Sequence, residues 1–167
     1  KQTDLEIVSI IKQVHAYVEA IHIREKDKSA AELYRLINKL IDSGVPQQKL
    51  YVNDRIDIAH ALQLRGVQLA FHSLPVQIAK QAFPHLRFGC SIHSLDEVEL
   101  AEKAGADYIL YGHIFQTESK PGLSPRGTAA IEKIKEHTQL PLIAIGGITP
   151  DNTQSVIEAG ADGIAIM

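Results

Sequence analysis

Short apolar runs alternate with amphipathic stretches along this 167-residue chain, and they do so at a steady interval. From Val18 to Asp162 the pattern covers 144 residues in six steps, or 24 per unit. The first amphipathic stretch runs from Asp4 to about Tyr17, with Leu5, Ile7, Val8, Ile11 and Val14 at helical spacing. VEAIHIREK reads as a strand from Val18, followed by a helix from Ser29 to Ser43 that Gly44 stops. KLYVNDR, VQLAFH, LRFGCSIH, ADYILYGHIF, PLIAIGG and DGIAIM read as six more strands, each separated from the next by a helical segment. Thr3–Glu6, Ser29–Glu32 and Ser94–Glu97 have capping-box spacing. Thr149 precedes Pro150 at a helix start. AGAD occurs twice, at 104–107 and 159–162, each time between a helix and a strand, and reads as structural punctuation.

Strands that alternate with helices are joined by parallel crossovers. Short, wholly apolar strands suit a sheet covered on both faces. Two architectures remain, a doubly wound sheet and a barrel. The first calls for a Gly-rich first turn, and no GxGxxG is present. The second gathers its chemistry at the C-terminal strand ends. Polar residues collect at those ends here: Arg24 to Lys26, Asn53 to Arg55, His72 and Ser73, Ser91 and His93, His113, and Gly146–Gly147. The expected fold is therefore an α/β (β/α)8 TIM barrel. Eight units of this length need about 190 residues. The expectation is one domain over residues 1–167 holding strands two to eight, without the first strand and the last helix.

Composition narrows the function. Hydrophobic residues make up 45% and charged residues 22%, which excludes a disordered chain. No apolar run approaches a membrane span, and the opening stretch does not read as a signal peptide. Cys90 is the only cysteine, so a disulfide framework is excluded and a cytoplasmic setting is expected. A net charge of −3 and 5% aromatics give no footprint for nucleic acid. A small-molecule ligand is expected, with no nucleic acid and no membrane as partner; a homo-oligomer stays open.

Period two places His22, Arg24 and Lys26 on one face of their strand. Arg24 fits either an ion pair with Glu25 or Asp54, or a site for an anionic substrate. Gly146–Gly147 fits either a bare tight turn or a backbone cradle for phosphate. His113, just past Gly112 at a strand end, is a candidate acid/base, although a lone histidine is as readily structural. Thr117, Ser119 and Lys120 follow on a loop and could bind an anion. Asn53 and Ser91 join the candidate ligand-binding residues. His15, His60, His85 and His137 read as structural or solvated, Cys90 as inert core, and no metal site is expected.

IHIREKD, YVNDRIDIA, VQLAFHSLP, GCSIHS, AGADYILYGHIFQTESKPG and IAIGGITPDN, in this order, resemble the thiamin phosphate synthase family, which includes thiazole tautomerase. The resemblance implies a phosphorylated thiazole ligand, with phosphate held at Gly146 and Gly147 and a Thr-x-Ser-Lys loop at Thr117, Ser119 and Lys120. Two departures stand out. Ser73 replaces an aspartate that helps bind magnesium in the synthases, with Phe71 expected to crowd the site. His113 stands where the synthases have proline. These departures point to the tautomerase branch. The expected activity is then an isomerase that aromatises a carboxythiazole phosphate, with His113 moving the proton, Arg24 and Lys26 helping to hold the carboxylate, and no cofactor. The alternatives are a thiamin phosphate synthase and a non-catalytic regulatory barrel that binds a phosphorylated ligand.

Overall fold

The computed structural model describes residues 2–119 and 121–167. Lys120 lies outside the described residues. Seven strands form one parallel sheet in sequence order: β1 Ile21–Ile23, β2 Leu50–Asn53, β3 Gly66–Leu69, β4 Arg87–Ile92, β5 Tyr108–Gly112, β6 Leu142–Ile145 and β7 Gly163–Ala165. The helices are α1 Asp4–Val14, α2 Ala30–Asp42, α3 Ile56–Ala61, α4 Val76–Ala82, α5 Leu95–Lys103, α6 Ala129–Lys135 and α7 Pro150–Glu158. The order of elements agrees with the sequence pattern. Several elements are shorter than it suggests: β1 begins at Ile21, not Val18, and α1 stops at Val14. Among the described residues β1 and β7 are the two edges, so the sheet is a barrel wall left open between them.

The sheet curls, and ring contacts measure the curl. Neighbouring strands lie about 4.8 Å apart, so β1 and β5 in a flat sheet would be separated by roughly 19 Å. Yet the His22 ring on β1 meets the Tyr108 ring on β5 edge-on at 6.2 Å, and stacks on Tyr51 of β2 at 5.0 Å. Tyr51 and Tyr108 are 5.9 Å apart. These rings therefore occupy the concave face. Two glycines make room for them. A Cβ on Gly66 would stand 2.8 Å from the Tyr51 ring, and one on Gly89 would overlap the Tyr108 ring. Two residues further along the strands, the same face carries Asn53, Gln68 and Ser91.

The apolar faces of the helices close over the outer side. Leu33, Leu36, Ile37 and Leu40 of α2, and Ile131 and Ile134 of α6, join Val52, Val67, Phe88, Ile109 and Leu142 of the strands in one core. The capping boxes at Thr3 and Ser29 form as the spacing predicts, and the Ser94 hydroxyl accepts from the Glu97 N–H.

The AGAD repeat has a physical explanation. In each copy the glycine ends a helix and the aspartate opens the next strand. Asp107 accepts from the Phe88 N–H at 2.8 Å and from Lys80 Nζ of α4 at 2.9 Å. Asp162 does the same one motif later, accepting from the Leu142 N–H at 2.8 Å and from Lys135 Nζ of α6 at 2.9 Å. Each aspartate thus ties its own strand to the preceding strand and to the helix that leads into it. Burial opposes ionisation of Asp162, but the Leu142 N–H and Lys135 outweigh it and hold the carboxyl below the usual range.

Candidate functional site

The C-terminal strand ends carry two groups of polar residues. The first surrounds a cleft of about 420 Å³ beyond β1, β2 and β3. Arg24, Lys26, Lys28 and Arg55 supply four cations to its lining, against Glu25 and Asp54. Two of the cations are engaged: Lys28 Nζ lies 2.6 Å from Asp4, and Arg55 pairs with Asp57. Arg24 and Lys26 are exposed and have no ion pair among the described residues. The ion pair considered for Arg24 with Glu25 or Asp54 is absent.

Asp54 is occupied by its own neighbours. It sits at φ 62°, in the left-handed region, at the end of β2. The Ser73 hydroxyl donates to Oδ1, and His72 Nε2 lies 3.0 Å from Oδ2. Ser73 Oγ in turn accepts from the Ala70 N–H at 2.6 Å. Phe71 does not crowd this site, contrary to expectation. It is 92% exposed, because the turn that brings Ser73 to Asp54 points the preceding ring outward.

Behind the cleft lies the layer of Asn53, Gln68 and Ser91. Gln68 is 1% exposed, and its Nε2 donates to Ser91 Oγ at 3.0 Å. Gln68 Oε1 and Asn53 Oδ1 are buried without a hydrogen-bond partner. A buried carbonyl oxygen left in this state favours a ligand that brings a donor.

The second group stands beyond β5 and β6. His113, at φ 65° and 4% exposed, lies under the loop of residues 121–127. Its Nε2 is 3.1 Å from the Leu123 carbonyl. A carbonyl only accepts, so Nε2 carries the hydrogen. Nδ1 is buried and unpartnered. The loop is fastened from the other side as well. The Arg126 N–H donates to His113 O at 2.9 Å, Arg126 Nη1 donates to His93 O at 2.9 Å, and the guanidinium lies 4.8 Å above the Tyr111 ring. Thr117 Oγ1 accepts from the Ser119 N–H at 3.3 Å, ahead of this loop. Gly146 and Gly147, at φ 108° and 66°, press against the segment of residues 113–116 that leads into this loop. A Cβ on Gly146 would come within 2.8 Å of His113 N, and one on Gly147 within 2.9 Å of the Phe115 carbonyl carbon. The close approach that requires glycine is therefore made to the protein's own chain at residues 113–116, just past β5.

The structure brings Arg24, Lys26 and Asn53 to one cleft, whereas His113, Ser91, Thr117, Ser119, Gly146 and Gly147 are absent from its lining. Sequence reasoning missed the His72–Asp54–Ser73 contact and the buried Gln68. The second had a signal: Gln68 shares a strand face with Gly66, inside an otherwise apolar run.

The magnesium that the synthase resemblance implies does not fit the donors present. Both Asp54 oxygens are engaged, and Ser73 offers a hydroxyl in place of a second carboxylate. No cluster of three or more His, Cys, Asp or Glu able to hold a metal occurs among the described residues.

Residues 2–167 match the thiamine monophosphate synthase family. The thiamine-phosphate synthase of Pyrococcus furiosus is 36% identical over 163 residues, covering 97% of this chain and 79% of that protein. The thiamine-phosphate synthase of Natronomonas pharaonis is 39% identical over 158 residues, covering 90% and 72%. A solved thiamine phosphate pyrophosphorylase from Pyrococcus furiosus superposes with a TM-score of 0.81 at 34% identity, covering 96% of this chain and 78% of that one. FabK from Thermotoga maritima, at 15% identity and a TM-score of 0.76, shares the fold alone. These relatives correct the expected activity. They are named as synthases, which are transferases, and the isomerase assignment drawn from Ser73 and His113 does not stand against them. By the span of the match and the level of identity, the chain belongs to the thiamine monophosphate synthase family of thiamin biosynthesis.

Proposed function

We propose that this chain performs the transferase step for which its relatives are named, at the cleft beyond β1, β2 and β3. In that step the carbon–oxygen bond between a pyrimidine methylene and its diphosphate breaks. A carbon–nitrogen bond to a thiazole phosphate forms, and pyrophosphate leaves. The observation that carries the reading is a pair of cations without an ion pair among the described residues, Arg24 and Lys26, in a cleft sized for a small molecule. A guanidinium and an ammonium suit a diphosphate, which needs charge-assisted donors. The unpartnered oxygen of Asn53, which lines this cleft, accepts from a heterocycle's N–H group. His113 holds the loop of residues 121–127 through Leu123, and Gly146 and Gly147 back the segment of residues 113–116.

A second reading rests on Asp54. With Ser73 and His72 on its oxygens, the chain would bind the phosphorylated ligand without turning it over. One assay separates the two. The chain is given the pyrimidine diphosphate and the thiazole phosphate, and released pyrophosphate is measured. Release that requires both substrates supports the transferase. Saturable binding of the thiazole phosphate without release supports the second reading.

A further inference from the structure

The N-terminal ends of the strands carry a second concavity, larger than the one at the mouth. It is a cleft of about 550 Å³ lined by Gln48, His60, Gln63, Arg65 and His85 with Ala61 and Leu64. Gln48 and Arg65 lie just before β2 and β3, and His85 before β4, so this cleft and the Arg24–Lys26 cleft are at opposite ends of the sheet. His60 Nδ1 and His85 Nε2 are 3.1 Å apart, and the two rings pack with Phe83. One N–H is shared between them, which leaves His60 Nε2 and His85 Nδ1 without a partner among the described residues. Arg65 has no side-chain hydrogen bond or ion pair among the described residues, and the lining contains no carboxylate. Gln63 is held at φ 48°, a conformation uncommon for a residue with a side chain, and its N–H donates to His60 O at 3.2 Å.

We propose that this cleft is an anion site, separate from the mouth, for an inorganic phosphate or a small phosphorylated ligand. Charge decides between anion and metal. Two imidazoles would suit a transition metal, but a cation here would sit beside a guanidinium with no negative ligand to offset it. An anion meets the guanidinium and two amides, which donate, and the one outward N–H that the neutral His60–His85 pair retains. The inference does not depend on the function proposed above.

The test uses the full chain carrying Arg24→Gln and Lys26→Gln, so that the mouth does not compete. Inorganic phosphate is titrated while the His60 and His85 ring signals are followed by NMR. Saturating movement of both rings is expected, weakened at least tenfold by Arg65→Gln. Lys103→Gln, at an exposed lysine paired with Glu99, should leave it unchanged. Arg65 is exposed, so its replacement leaves the core intact. Ring signals that stay still under phosphate overturn the proposal. So do ring signals that answer zinc chloride but not phosphate, and a response that Arg65→Gln leaves intact.

Discussion

Asp54 shows how one residue limits what the mouth can hold. Its backbone is left-handed, a conformation that aspartate adopts more readily than most residues, and its carboxylate is held from across the fold by Ser73 and His72. A carboxylate satisfied in this way has little to offer a dication. Ser73→Asp would set a second carboxylate against it, and that pair requires a counter-cation. Magnesium binding by calorimetry is expected to be absent in the parent chain and measurable in Ser73→Asp. Arg24 and Lys26 act in the opposite sense, as donors awaiting a partner. Replacing both by glutamine should weaken inorganic pyrophosphate binding by about tenfold or more, since a hydrogen bond to a charged group contributes about 1.5–3 kcal/mol. Unchanged affinity would place the diphosphate elsewhere. That Arg24 and Lys26 stand past a strand end was legible in the sequence, whereas their sides were not given by period two, because β1 stops at Ile23 and both residues follow it. The hydrogen bond from Ser73 to Asp54 was not, since it joins residues 19 apart through a turn whose path no local pattern encodes.

The AGAD aspartates set the register between successive elements. Asp107→Ala would leave the Phe88 N–H without its acceptor, and the lysine of α4 without its partner, at a cost of about 1–3 kcal/mol. Chemical denaturation should show the loss, and Lys103→Gln, remote from the motif, should not. Asp162 adds a pH dependence. Its folded carboxyl titrates below the ordinary value, so its contribution is present above that value and is lost as pH falls through the folded one. The stability difference between the parent chain and Asp162→Asn should therefore shrink on acidification below about pH 4. The repeat itself was plain in the sequence, and its role as punctuation holds. Which atoms the aspartates bind was not legible, because the partners lie one strand back. The ends of α1 and β1 were misplaced for a related reason: hydrophobic periodicity runs on past the last backbone hydrogen bond.

Inside the curved sheet, Tyr51 and Tyr108 fill the space beside Gly66 and Gly89. Gly89→Ala puts a methyl group into the Tyr108 ring, so the variant should be destabilised. Tyr108→Leu should recover part of the loss when combined with it, giving a favourable coupling in a double-mutant cycle. Additive losses would mean that the glycine serves some other purpose. The barrel architecture was readable from seven repeats and their polar ends, whereas the inner ring layer was not, because His22, Tyr51 and Tyr108 meet only after the sheet bends. That layer lies two residues closer to the N-terminal strand ends than Asn53, Gln68 and Ser91, on the same face. The two ends of the sheet therefore offer a guest different chemistry, cationic side chains and carboxylates at one and imidazoles beside a guanidinium at the other.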